Sequence, residues 1–392
     1  MSDFSQLPVS EQRQRLKELA IAFLKLGTLA FGGPAAHIAM MDEEFVQRRQ
    51  WLDRPQLMDM IGFTNLIPGP NSTELAIHIG LERGGWRGLI VAGTCFIFPA
   101  LVIVWVLAVI YKQYQALPQL NSLLFGIKPV IIAILVQALW KLRTAGIKNI
   151  STGIILVLTI ALFYAGVNEL LLLLGSGLVV MAVKNWRSLS SMPLLILPTL
   201  VTSETLVTSE IKLENYEPAT TGSIFLTFLK IGSVLYGGGY VLLAFLQKEL
   251  VERSHWLSSQ QLLDAVAVGQ FTPGPIFTTA TFVGYLIGGN SGAIAATVGI
   301  FLPSFIFVAV FSRFLEKLRR STLMAGFLDG VNSASLGLMV TVTIQLGQTS
   351  LTNFLAVGIV IASSIILFTT KLNSTWLLLI GGAIGLVSGI RL

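Results

Sequence analysis

The chain has 392 residues, of which 26 are Lys or Arg and 20 are Asp or Glu, so 12% are charged against about 25% in an ordinary soluble domain. With 54% hydrophobic residues and 37 glycines there is too little charge to cover a soluble globule, and a disordered, collagenous or disulfide-rich chain is excluded as well. The net charge of +6 requires no nucleic acid, because Lys and Arg that anchor cytoplasmic loops give the same excess.

The first 18 residues are polar and of mixed charge, unlike a cleaved leader. An apolar stretch follows at about 19–41, broken at Gly32-Gly33-Pro34, and another at about 57–81, broken at Pro68-Gly69-Pro70. Stretches at about 89–111, 121–140, 150–166 and 169–183 are uninterrupted and near the 20 or so residues that a spanning helix needs. After a poorly matching segment the pattern returns. Broken stretches at about 222–246 and 262–288 carry Gly237-Gly238-Gly239 and Pro273-Gly274-Pro275, and unbroken ones lie at about 293–312, 324–347, 352–369 and 374–390. Proline removes a backbone donor and glycine loosens a helix, so the four interrupted stretches read as broken or re-entrant helices.

Placing the N-terminus inside puts Arg13/Arg15/Lys17, Arg48/Arg49/Arg54, Arg83/Arg87, Lys141/Arg143/Lys148 and Lys184/Arg187 on the cytoplasmic side. The dense cluster Arg313, Lys317, Arg319, Arg320 joins them only if the chain crosses once more between the halves, which 189–207 is predicted to do. The acidic linker 204–217 and the C-terminus are then outside. Of the 26 basic residues, 18 fall inside, 5 outside and 3 (Lys25, Lys128, Lys230) within the membrane.

The halves match one another. Over 60 positions from Ala22, at a constant offset of 205, 20 residues are identical: AFLKLGTLAFGG at 22–33 meets TFLKIGSVLYGG at 227–238, and IPGPNST at 67–73 meets TPGPIFT at 272–278. After a one-residue slip, Pro99 meets Pro303 and Gly126 meets Gly330. Duplication plus one extra crossing predicts an all-α polytopic membrane protein built as an inverted-topology internal repeat, with broken or re-entrant helices near the membrane midplane. The expected domains are a first transporter repeat at 1–185, a linker at 186–221 and a second repeat at 222–392.

Unwound backbone cannot face lipid and must line a protein-enclosed cavity. A half-helix starting there aims amide donors into it. The sequence Pro70-Asn71-Ser72-Thr73-Glu74 reads as such a start, with Asn71 or Ser72 as N-cap and Thr278-Thr279 at the matching place. Two facing starts form a site for an anion. The expected substrate set is Lys25, Gly32, Gly33, Asn71, Ser72, Thr73, Lys230, Gly237, Gly238, Gly239, Thr278 and Thr279. Lys25 and Lys230 stand at one repeat position inside apolar runs, where a cation costs about 2.5 kcal/mol or more; the alternative is that each snorkels to an interface.

Glu74 and His78, i and i+4 on one helix face, are candidate proton carriers with His37; the alternative is a hydrogen-bonded structural pair. Asp59 and Asp264 match and suggest helix-start charges or salt bridges to Arg48 and Arg253. Trp51 and Trp256 match and read as interfacial anchors. Cys95 reads as a packed membrane cysteine. Three histidines and one cysteine give no metal-ligand spacing, neither glycine run is a nucleotide fingerprint, and no catalytic constellation or cofactor motif stands out.

FGGPAAHIAMMDEEFV (31–46), GFTNLIPGPNSTELAIHIG (62–80) and GQFTPGPIFTTATFVGYLIGG (269–289) together resemble the chromate ion transporter family in its long-chain, two-domain form. The resemblance covers about 20–390. It implies an inner-membrane carrier that exports chromate, driven by the proton motive force, and so confers resistance, with kinship to sulfate handling. Its partners would be chromate, with sulfate as the alternative, together with protons and the bilayer, and a homodimer is compatible with it. The second half departs with Gly-Gly-Gly for Gly-Gly-Pro and lacks the Glu and His after Pro-Gly-Pro, which favours one site between the halves over two equivalent sites. The rival readings are a sulfate or other oxyanion carrier working by uptake, a channel, a non-transporting membrane partner of a soluble enzyme, and a membrane-embedded enzyme.

Overall fold

A computed structural model describes residues 4–31, 33–115, 117–185, 219–236, 239, 241–312, 321–370, 372 and 374–389. Gly32, Gly237 and Gly238, the crossing at 189–207, the acidic linker and the basic cluster at 313–320 lie outside the described residues. The described chain is all-α and polytopic. Asn71–Tyr114, Pro118–Gly146, Ile276–Phe311 and Thr322–Ser350 are long and apolar enough to cross a bilayer, and Ile150–Tyr164, Thr221–Val234, Phe354–Thr369 and Ser374–Ser388 are shorter apolar helices.

The first half runs α1 (Val9–Leu29), α2 (Gly33–Met41), a π-helical turn (Asp42–Arg48), α3 (Arg54–Thr64), α4 (Asn71–Tyr114), α5 (Pro118–Gly146), α6 (Ile150–Tyr164) and α7 (Glu169–Lys184). The second half repeats that order: α8 (Thr221–Val234), α9 (Leu242–Leu246), a π-helical turn (Gln247–Arg253), α10 (Ser259–Phe271), α11 (Thr279–Phe311), α12 (Thr322–Ser350), α13 (Phe354–Thr369) and α14 (Ser374–Gly389). Each expected interruption is a real break between two helices. α3 and α10 start alike, on capping boxes of Asp53 with Gln56 and Ser258 with Gln261.

α4 is a hairpin folded at Gly84-Gly85, and α11 is one folded at Gly288-Gly289; the second glycine of each pair has positive φ, +56° and +62°. The limbs touch through Gly80 on Gly88 and Gly284 on Gly292, where a Cβ would strike the opposing carbonyl. The Arg83 guanidinium lies 4.1 Å from the centre of the Trp51 ring and bonds Glu18 at 2.9 Å. The chain therefore enters α3 and leaves the short limb of α4 at the same end, and the Pro-Gly-Pro turn between them is the far tip of a re-entrant loop. Trp51 stacks on Phe45 and has the guanidinium groups of Arg83 and Arg49 beside its ring.

The two hairpin turns sit at opposite ends of the long limb of α4. Gly85 begins that limb, while Asn290, beside the second turn, accepts a bond from Trp105 Nε1 at 3.1 Å. Trp105 lies some 20 residues along, about 30 Å by helix rise and close to the thickness of the hydrocarbon core. The halves interlock further along: Gly126 of α5 packs on Gly381 and Gly385 of α14, and Gly177 of α7 packs on Phe327 of α12, with Gly330 on the Ser176 carbonyl. Each half thus closes its bundle with the last helix of the other.

Candidate functional site

The two Pro-Gly-Pro tips meet where α1 and α8 break. α1 ends at Ala30 and α8 at Leu235, both in extended conformation. Their carbonyls have no helical partner, and each is taken by the other half: Gly274 N–H donates to Ala30 O at 2.9 Å and Gly69 N–H to Leu235 O at 2.8 Å. Gly69 and Gly274 have φ of +138° and +93°, and each lies hard against its surroundings. A Cβ on Gly69 would strike the Glu74 carboxylate and lie 2.6 Å from Ser304 Oγ, and one on Gly274 would lie 2.7 Å from Ala100 Cβ.

Beside this crossing lies a cavity of about 630 Å³. Pro34, Asn65, Asn71, Gln137, Tyr236, Gly239 and Asn332 line it, together with the exposed lysines Lys141 and Lys148. Lys148 also donates to Asp329 Oδ1 at 2.6 Å, and Lys184 to Oδ2 at 2.5 Å. Two ammonium groups thus hold one carboxylate, while Lys141 donates to Gln137 Oε1 at 3.1 Å, and the amides of Asn65, Asn71 and Asn332 add neutral polar groups. Such a lining suits a small oxyanion, since it offers both positive charge and hydrogen-bond donors.

α4 begins at Asn71 as expected, with Pro70 in the cap position, but neither proposed N-cap side chain caps it. Asn71 donates to Asn65 Oδ1 at 2.6 Å, and Ser72 is bonded to His37 Nδ1 at 3.1 Å. His37 Nε2 lies 3.1 Å from Ala30 O, so its ring ties the broken end of α1 to the start of α4. A neutral imidazole satisfies both contacts, donating from Nε2 and accepting at Nδ1. In His37→Leu, the residue that the second half has at Leu242, the Ser72 hydroxyl loses its buried partner; we expect a loss of about 1–3 kcal/mol in thermal unfolding in detergent.

Glu74 is fully buried; Ser304 Oγ donates weakly to its Oε1 at 3.4 Å, and Oε2 has no partner. His78 lies edge-on to Phe63 at 5.1 Å with Nδ1 unpartnered, so the alternative reading of a hydrogen-bonded Glu74–His78 pair does not hold. Thr73 is completely buried with its hydroxyl unpartnered. Thr278 and Thr279 turn their hydroxyls back onto the Pro275 and Ile276 carbonyls. A Cβ on Gly33 or Gly239 would meet Ile276 at 3.7 and 3.3 Å, so both glycine breaks surround that side chain.

The matched lysines are placed elsewhere. Lys230 donates to Glu249 Oε1 at 2.6 Å, an atom that also holds Arg253 at 2.8 Å. Lys25 is exposed on α1, within electrostatic reach of Glu44, which pairs with Arg48 and Arg49. Each lysine thus serves the π-helical turn of its own half. The expected bridge of Asp264 to Arg253 does not form, and that arginine goes to Glu249. Asp264 pairs across the halves with Lys128 at 2.9 Å.

The cavity residues Asn65, Gln137, Lys141, Lys148, Tyr236 and Asn332 were not singled out by the sequence. Lys141 and Lys148 were visible there only as loop charge, and nothing in their local pattern says that the loop folds back over the tip of a distant re-entrant turn. Among the described residues, no group of three His, Cys, Asp or Glu side chains is arranged to hold a metal.

Comparison with known proteins agrees with this architecture. The chain is 31% identical over 346 residues to a probable chromate transport protein of Synechococcus elongatus, covering 86% of each chain. It is 30% identical over 380 residues to a chromate transport protein of Pseudomonas aeruginosa, covering 94% of this chain and 91% of the relative. It is 28% identical over 379 residues to one of Cupriavidus metallidurans, covering 95% and 93%. No solved structure matches it. The chromate transporter family matches residues 17–181 and again 222–386, one match on each half of the fold. This multi-pass membrane protein, built from two halves joined at paired Pro-Gly-Pro tips, belongs to the chromate transporter family and to a class of transporters rather than enzymes.

Proposed function

We propose that the chain is a secondary active carrier that exports chromate across the inner membrane, driven by the proton motive force, and so confers chromate resistance. The observation that carries this reading is the cavity at the crossed tips, lined by exposed ammonium groups and by side-chain amides, in a chain whose relatives are named for chromate transport. The two halves act as inverted repeats, with the N-terminus cytoplasmic and the C-terminus outside. The placement of the two hairpin turns about one bilayer apart supports that inversion. The basic mouth of the cavity then faces the cytoplasm, where the anion to be exported is found. A dianion leaving a cell at −100 mV gains about twice the 2.3 kcal/mol that one charge gains, so potential alone favours expulsion.

Glu74 is the proton carrier in this reading. It is buried at the tip, touches the opposite half through Ser304 and keeps one carboxylate oxygen free to take a proton. Sulfate is a tetrahedral dianion too, and the amide and ammonium lining does not by its chemistry separate the two, so sulfate is the second reading for the cargo.

Flux in proteoliposomes with the pH gradient and the potential set separately tests both points. Chromate moves outward down its electrical gradient, and excess sulfate leaves most of that flux in place; complete competition by sulfate, with sulfate flux of equal size, replaces chromate as the cargo. Glu74→Gln is expected to lose the component driven by the pH gradient and to keep the one driven by potential. An unchanged response to the pH gradient removes Glu74 from the proton path.

A further inference from the structure

The repeat shows what stands at the place equivalent to this cavity in the other half. At the offset of 204 that aligns Gly126 with Gly330, the cavity-lining residues Gln137 and Asn332 correspond to Thr341 and Lys128. Thr341 is completely buried and Lys128 is 5% exposed. At these two places the other half is closed, and a cation is buried there.

That cation is neutralised by one group. Lys128 Nζ lies 2.9 Å from Asp264 Oδ1, with both side chains under a tenth exposed, and Tyr111 donates to Asp264 Oδ2 at 2.8 Å. The three residues come from different elements: Lys128 from α5, Tyr111 from the far end of α4, and Asp264 from α10, the first limb of the re-entrant loop of the other half. The pair therefore bridges the halves. It is asymmetric, because Asn332 stands where a second lysine would. A carboxylate held by an ammonium and a phenol O–H has the charge and acceptor geometry of one edge of a tetrahedral oxyanion.

We propose that Lys128 is an oxyanion-binding residue of the opposite-facing state, and that Asp264 is a built-in counter-anion that occupies its ammonium while that side is closed. The inference rests on the transport reading above. Opening the far side draws α10 away from α5 and would leave a buried ammonium bare, which the interior does not tolerate. Opening is therefore favoured when a travelling anion takes the place of the Asp264 carboxylate, with Tyr111 available as a second donor. Once the anion has left, Asp264 returns, and the empty carrier rests with its basic cavity open to the cytoplasm. The exchange couples gate opening to cargo and limits idle opening of the far side.

The test uses the full-length chain in proteoliposomes with Cys95→Ser as background. Chromate flux is the first readout. The second is labelling of Thr341→Cys by a membrane-impermeant maleimide added on the face away from Lys148. Lys128→Gln is expected to lower chromate flux about tenfold or more, the scale of losing one buried charged hydrogen bond. Asp264→Asn, nearly isosteric, is expected to raise labelling at Thr341→Cys about fivefold or more by unlatching the closed side. Exchanging the charges, with Lys128→Asp and Asp264→Lys together, is expected to restore slow labelling without restoring flux, whereas a merely structural ion pair would restore both.

A smaller loss of flux in Lys128→Gln, labelling unchanged by Asp264→Asn, or flux recovered in the exchanged pair each overturns the proposal. If Lys128→Gln does not fold, the Asp264→Asn labelling decides alone. A wild-type chain that carries neither chromate nor sulfate sinks the transport reading, and the labelling arm still reports whether the pair is a latch.

Discussion

Alanine at Gly69 or at Gly274 is expected to cost about 2–5 kcal/mol of stability and to abolish transport in whatever protein still folds. Two physical costs add. A residue with a Cβ at φ of +138° or +93° leaves its allowed backbone region, at roughly 1–2 kcal/mol. The added carbon also enters a filled space, against the Glu74 carboxylate and Ser304 at Gly69 and against Ala100 and the Gly27 carbonyl at Gly274, for about 1–3 kcal/mol more. The functional loss exceeds the stability loss, because these glycines donate the two bonds that close the broken ends of α8 and α1. Thermal unfolding in detergent measures the first effect and proteoliposome flux the second. Gly62 in α3 is the control: it has nothing within 4 Å of a Cβ and no positive φ, so Gly62→Ala is expected to be neutral or to stabilise by about 0.5–1 kcal/mol. Equal behaviour at the three positions would mean that the tips are not built as described.

Asp329 and Lys148 should move anion recognition in opposite directions. The Asp329 carboxylate is 5% exposed and holds two ammonium groups, so Asp329→Asn is expected to lose about 1–3 kcal/mol of stability. Both lysines are nearly half exposed and turn to water when released, which limits the loss. The mouth of the cavity becomes more positive by one charge, and the concentration of chromate at half-maximal flux should fall by about three- to tenfold at low salt. Lys148→Gln should raise it by a similar factor. Both shifts should shrink as ionic strength rises, because the charges are close to water. Shifts of the same sign in the two variants would show that the effect is packing rather than charge.

Much of the fold was legible because its signals are local. Proline and glycine breaks, apolar runs and loop charges act within about 20 residues, and each expected interruption is a break between helices. The repeat made the equivalence of Gly69 with Gly274 visible before any coordinate. What escaped is what depends on pairing distant segments. Lys25 and Lys230 stand at one repeat position in similar apolar surroundings, which suggested shared service to a substrate; in space each attends the glutamate of its own π-helical turn, 19 residues on in both halves. Lys128 lacked a basic counterpart and so drew little notice, yet its partner Asp264 lies in the other half and no local pattern links the two. Glu74 and His78 share a helix face, but i,i+4 spacing permits a bond without requiring one, and Ser304 and Phe63 occupy their neighbourhoods.

The two bonds between the crossed tips have a consequence for how such a chain diverges after duplication. They join main-chain atoms, Gly69 N–H to Leu235 O and Gly274 N–H to Ala30 O, so they ask only for glycine at the two turns and are indifferent to the side chains around them. Selection on one half can therefore replace Leu by His at position 37, Thr by Glu after the turn, or Asn by Lys in the fifth helix without breaking the symmetric joint. A frame held by backbone lets a pair of equal copies become a machine with two unlike faces, one specialised for admitting its cargo and the other for letting it go.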